Sequence, residues 1–122
     1  MQIRGAHIAG LGAYVPEKVL TNEDLTEIVD TSDEWIVEHT GIRERRLLAD
    51  DQATSDLGFE AAKRAIEDAG ISAQDIDLII LATVTPDQPF PATAAVLQDL
   101  LGIRGVGTYD IVSGCTGWVQ AL

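Results

Sequence analysis

Cys115 is the single cysteine among 122 residues, and its setting, Ser113-Gly114-Cys115-Thr116-Gly117, is the segment best suited to chemistry. It follows the strand-like Thr108-Tyr109-Asp110-Ile111-Val112 and precedes the apolar, helix-like Trp118-Val119-Gln120-Ala121-Leu122. Glycines just before and two places after the cysteine permit a tight strand-to-helix turn that lifts its side chain out of the sheet. The nucleophile elbow of serine hydrolases follows the same logic. A helix N-terminus favours the thiolate, the reactive form of the side chain. The neighbouring backbone N–H groups can polarise a thioester carbonyl. Cys115 is therefore a candidate nucleophile for acyl transfer. A buried structural cysteine is the alternative that the residue type leaves open.

Acyl transfer to sulfur followed by carbanion attack also needs donors for a developing enolate, and histidine or asparagine would suit. The chain has two histidines, His7 and His39. His7 reads as a core or edge residue of the first segment. His39 reads as a surface residue at a helix end, with a ligand phosphate as its competing role. Neither is an evident partner for Cys115. One cysteine excludes an intrachain disulfide and a Cys-rich zinc site, and no metal site is expected. Arg43, Arg45 and Arg46 form a small basic cluster, either a greeting surface for an anion or a solvated strand edge beside Glu44.

The elements that must position these residues follow from pattern. Residues 3–12 read as a strand whose glycines allow close approach by a neighbour. Thr21-Asn22-Glu23-Asp24 opens a short helix, with Asn22 as its cap. Thr31-Ser32-Asp33-Glu34 matches a capping box with Thr31 as cap, and that helix carries Trp35 and Ile36 to a stop near Gly41. Arg43 to Leu48 returns as a strand. The clearest helix is Ser55 to Ala69, with Phe59, Ala62, Ile66 and Ala69 on one face and Gly70 at its end. Leu78-Ile79-Ile80-Leu81-Ala82 is an unbroken apolar run, expected as a central strand of a parallel sheet buried on both faces. Ala92 to Leu101 forms a helix ended by Gly102. Strands alternating with helices predict an α/β sheet.

The balance of 8 Lys+Arg against 20 Asp+Glu, a formal charge of −12, disfavours nucleic acid as a partner. With 46% hydrophobic and 23% charged residues, wholesale disorder is not expected. No apolar run approaches the ~20 residues of a membrane span. The opening residues lack the layout of a secretory signal, so a cytoplasmic location is expected. The end of the chain reads as the first turns of an apolar helix without a cap, which predicts a fragment of a larger protein.

Several co-linear segments together resemble β-ketoacyl-acyl-carrier-protein synthase III, a thiolase-fold condensing enzyme. They are Asp30-Thr31-Ser32-Asp33-Glu34-Trp35-Ile36, Thr40-Gly41-Ile42-Arg43-Glu44-Arg45, Asp75-Ile76-Asp77-Leu78-Ile79-Ile80, Phe90-Pro91-Ala92-Thr93-Ala94, and Tyr109-Asp110-Ile111-Val112-Ser113-Gly114-Cys115-Thr116-Gly117. The resemblance implies an α/β fold, the N-terminal half of a thiolase-like fold truncated after the nucleophile at the start of the buried helix. Residues 1–122 would be a partial N-terminal domain, with a five-stranded layer in each half of the full enzyme.

The resemblance also implies a reaction. The cysteine at Cys115 would accept an acyl group, usually acetyl, from acyl-coenzyme A. Decarboxylation of malonyl-acyl-carrier protein would then supply the carbanion that attacks it. No cofactor is implied, since the coenzyme A thioester is a substrate. The implied catalytic histidine and asparagine, and a glycine-rich loop of the oxyanion hole, belong to the second half, so the 122 residues alone are expected to be inactive. Thr31, Trp35, His39 and Thr40 would form the coenzyme A-binding set, with Trp35 stacked on adenine. Phe90 would reach across a homodimer toward the acyl pocket.

Three positions depart from the family pattern. His39 stands where an arginine is usual, which removes a forked phosphate donor. Ser113-Gly114 replaces a pair of alanines, and Trp118 replaces a phenylalanine. Such changes also suit a polyketide starter enzyme or a hydroxymethylglutaryl-coenzyme A synthase-like relative. A truncated, non-catalytic chain is the reading from another class.

Overall fold

The computed structural model describes residues 5–122. The chain divides into two compact units, one of residues 15–52 and one comprising the N-terminal segment together with residues 53–122.

In the smaller unit, strand β1 (Lys18–Thr21) runs straight into helix α1 (Asn22–Thr26), followed by α2 (Asp33–Thr40) and β2 (Glu44–Leu47). β1 and β2 pair antiparallel, from Lys18 opposite Leu47 to Thr21 opposite Glu44. The return strand expected at 43–48 is thus present. α2 ends as its glycine predicts: Gly41 adopts φ 72° and its N–H donates to the Val37 carbonyl. Ile36 is the buried apolar anchor of α2.

In the larger unit, α3 (Thr54–Ala69) precedes β3 (Leu78–Ala82), α4 (Thr93–Leu100), β4 (Gly107–Ile111) and α5 (Gly114–Ala121). A single 3-10 turn (Ala73–Asp75) separates α3 from β3. β3 and β4 pair in parallel, Leu78 opposite Gly107 through Ala82 opposite Ile111. Thr83 N–H extends the ladder by donating to the Ile111 carbonyl. The crossover through α4 is what a parallel pair requires. Ile79, Ala94, Leu97 and Ile103 form the core, with Phe59 of α3 and Leu81 of β3 packed against it.

Three expectations require correction. Among the described residues, the segment read as a strand over 3–12 forms no ladder; residues 3 and 4 lie outside the described part. Its backbone is held by α3 instead. Leu11 N–H donates to Asp68 Oδ2 at 2.9 Å, and the Arg64 guanidinium donates to the Ala13 carbonyl. The expected close approach is real, but the neighbour is a helix: a Cβ on Gly10 would lie 2.5 Å from the Ala65 carbonyl oxygen. Second, β3 is parallel as expected but not central among the described residues: β4 is its one partner there, which leaves its other edge unpaired, and Leu78 stays 49% exposed. Third, α5 is covered on one side only. Its Gly117 packs against Ala82 and Ile111, while Trp118 and Val119 face outward.

Candidate functional site

Cys115 sits where the strand-to-helix reasoning places it. β4 ends at Ile111, Ser113 is the N-cap, and Cys115 is the second residue of α5. Gly114 makes the turn with φ 50°, a left-handed conformation that disfavours a side chain. The thiol is exposed, so the alternative of a buried structural cysteine is set aside.

The N-terminus of α5 has no side-chain cap. The Ser113 hydroxyl lies 3.0 Å from the Thr116 hydroxyl, which donates to the Ser113 carbonyl at 2.7 Å. Neither hydroxyl caps the helix, so first-turn N–H groups, which lack intrahelical partners, are left to meet a carbonyl oxygen beside the thiol. The strand that delivers Cys115 is itself pinned. Asp110 Oδ2 and Oδ1 accept from Thr93 N–H at 2.7 Å and Ala94 N–H at 2.8 Å, serving as the cap of α4 that Ala92 cannot supply. Asp87 in turn accepts from Ser55 N–H at the start of α3 and donates its own N–H to the Thr93 hydroxyl. Pattern reading did not single out this network, although an acid inside an apolar strand was its visible signal. Phe90, in the loop between β3 and α4, is 87% exposed and packs on nothing that would bury it.

In the smaller unit, Thr31 and Trp35 line one cleft of about 370 Å³ together with Asp30 and Ser32. The cap of α2 is Ser32, not Thr31: its hydroxyl accepts from Trp35 N–H at 3.1 Å. Thr31 is thereby free of the capping role. His39 stacks on Trp35, with ring centroids 4.3 Å apart and planes 20° apart. Thr40 is turned to its own helix end, donating to the Ile36 carbonyl at 2.6 Å and accepting from Ile42 N–H at 3.1 Å. The residues expected to bind coenzyme A therefore separate into a cleft pair, a stacked ring and a backbone-bound hydroxyl. Cys115 and Phe90 belong to the other unit.

Asn22 is likewise not the cap of α1. Thr21 caps it, in a reciprocal box with Asp24. The two hydrogen bonds from Thr21, first its hydroxyl and then its N–H, hold the Asp24 carboxyl below its ordinary value, against a smaller opposing effect of burial. Asn22 instead is buried and joins three elements. Its amide donates to Asp33 Oδ1 at 2.7 Å and to the Ile42 carbonyl at 2.8 Å, and its oxygen accepts from Arg45. Of the basic cluster, Arg45 is thus committed to Asn22, and Arg46 pairs with Glu44 at 3.0 Å. Arg43 lines a second cleft with Thr21, Glu23 and Ser32 among others.

A turn from a parallel strand pair into a helix, with Cys115 at its head, places this chain with thiolase-like folds, and comparison with known proteins agrees on the fold. A solved 3-oxoacyl-[acyl-carrier-protein] synthase III from Aquifex aeolicus superposes with a TM-score of 0.89 at 48% identity, covering 96% of this chain and 38% of that one. The priming β-ketosynthase of the R1128 polyketide pathway superposes at 0.87 with 32% identity, covering 93% of this chain and 34% of that one. Among curated relatives, β-ketoacyl-[acyl-carrier-protein] synthase III of Xanthomonas axonopodis pv. citri is 57% identical over 117 residues, 96% of this chain and 36% of the relative. No protein-family model matches the chain. This chain is similar to the N-terminal part of these synthase III proteins. It spans 36% of the length of that curated relative.

Proposed function

We propose that this chain supplies the acyl-accepting cysteine and the coenzyme A-binding segment of a condensing enzyme that initiates fatty-acid synthesis. The observation that carries the reading is the exposed Cys115 beside uncapped N–H groups at the head of α5. The sulfur of Cys115 attacks the thioester carbonyl of acyl-coenzyme A. Oxygen takes the negative charge beside the first-turn N–H groups, the carbonyl re-forms, and the coenzyme A thiolate leaves. Malonyl-acyl-carrier protein then loses carbon dioxide, and its carbanion attacks the acyl-cysteine carbonyl and releases the Cys115 thiolate. The enolate donors of that second step, histidine and asparagine, are assigned to residues beyond those matched here. Coenzyme A acts as substrate, and no cofactor takes part.

Within this reading Trp35 and Thr31 receive the nucleotide end of coenzyme A in their shared cleft. His39 and Thr40 flank it. The exposed Phe90 serves a homodimer contact near the acyl pocket, and the protein works in the cytoplasm. The structural likeness to a priming ketosynthase supports a second reading for the donor, a polyketide starter acyl group rather than acetyl.

Incubation of the full-length enzyme that contains this chain with acetyl-coenzyme A, followed by peptide mass spectrometry, tests the assignment. One acetyl group is expected on the Cys115 peptide, absent from Cys115→Ala. Acetylation that persists in that variant refutes the assignment.

A further inference from the structure

We propose that His39 is a positioning residue for Trp35: it occupies one face of the indole and fixes its orientation, so that a planar ligand stacks on the remaining face. The inference rests on the reading that Trp35 receives the adenine of coenzyme A. Trp35 and His39 lie one helical turn apart on α2, the spacing at which side chains meet. Their rings are stacked at 4.3 Å with planes 20° apart. His39 Nδ1–H donates to the Trp35 carbonyl at 2.7 Å, which fixes the rotamer and the tautomer of the imidazole. Trp35 N–H is held in turn by the Ser32 hydroxyl at 3.1 Å. The backbone of the tryptophan and one face of its ring are thus fixed from two directions. The residue is still 55% exposed and lines the cleft beside Thr31, so indole surface remains for a ligand.

The physical gain is pre-organisation. An exposed tryptophan without a stacking neighbour samples several rotamers and loses that freedom when a ligand binds. Here the freedom is already lost in the unliganded protein. The imidazole takes the role of a platform in place of a forked phosphate donor, because its Nδ1 proton is committed to the helix backbone.

The test uses the full 122-residue chain and its His39→Ala, His39→Phe and Trp35→Ala variants, with coenzyme A as the probe. In the proton NMR spectrum of the unliganded chain, the carbon-bound ring protons of His39 should be displaced upfield by the indole ring current. That displacement should vanish in Trp35→Ala. In calorimetric titration, His39→Ala should weaken coenzyme A binding roughly 2- to 10-fold, the range expected when one side chain must be immobilised on binding. His39→Phe, which keeps a flat ring, should bind within about twofold of wild type. Wild-type affinity in His39→Ala, with binding lost in Trp35→Ala, overturns the positioning role and leaves the adenine reading standing. Equal weakening by Ala and Phe also overturns it, since the flat ring would then contribute nothing. Unchanged binding in Trp35→Ala, or no binding by the wild-type chain, overturns both.

Discussion

Replacing Asn22 with leucine should unfold the smaller unit far more readily than its single-residue scale suggests. Asn22 is 1% exposed, yet its amide makes three hydrogen bonds, to Asp33, to the Ile42 carbonyl and from Arg45. Two of the three involve charged partners, each worth roughly 1.5–3 kcal/mol, and the neutral one is worth about 1 kcal/mol. Asp33 and Ile42 are exposed and Arg45 half-buried, so water re-solvates the abandoned partners in part. The net loss should therefore fall well below the sum, at about 3 kcal/mol. With a urea slope of about 1.5 kcal/mol per M, the midpoint should drop by about 2 M at unchanged slope. Asn22→Asp is the sharper variant: it keeps the shape and the acceptor for Arg45. It replaces the donating amide with an oxygen facing Asp33 and a carbonyl, so it should be as harmful as leucine. Far-UV circular dichroism in a urea series reads both, and amide exchange in α2 localises the effect. If both variants unfold at the wild-type midpoint, the network does not hold α1, α2 and β2 together as described.

Two further outcomes follow from the other carboxylates. Asp110→Ala leaves the N–H groups of Thr93 and Ala94 without their acceptor at an otherwise uncapped helix start, and should cost about 2 kcal/mol. In a unit of this size that lowers Tm by about 10 °C, read by scanning calorimetry; a shift under a few degrees would contradict the capping role. Asp24 gives a pH prediction. Its carboxyl titrates below its ordinary value of 3.8, so its contribution to stability is complete above that value. The contribution is lost as pH falls through the depressed value, and α1 should fray there. An NMR titration of the Thr21 amide should show a midpoint below 3.8, and a midpoint above it would count against the capping box.

Much of the architecture was legible in sequence because short-range signals decide it. Gly41, Gly70 and Gly102 mark the helix ends with positive φ, as their positions predict. The spacing of Phe59, Ala62, Ile66 and Ala69 locates α3, and the turn chemistry around Gly114 locates Cys115 at the head of α5. The failures share one cause, dependence on a partner that pattern cannot name. Thr21 and Asn22, like Thr31 and Ser32, are adjacent residues of capping type, and residue type alone does not place the helix start between them. Asn22 belongs to Asp33 and Arg45, 11 and 23 residues away, and no local rule reports that distance. The segment through Gly10 and Gly12 has strand composition but rests on a helix. The apolar run of β3 reads as a central strand, yet the described residues supply β4 alone beside it. Of the candidate site, the position of Cys115 was legible because it depends on its own turn. The stacking of His39 on Trp35 was not, although their spacing on a helix was its available signal.

The surface position of the sole sulfhydryl has a practical consequence for handling the protein. Dissolved oxygen can couple two copies through that sulfur, giving a covalent pair that runs as a dimer on a sizing column and leaves no free thiol. Reductant in the buffer should collapse such a pair and restore the free thiol, whereas a dimer held by packing would survive it.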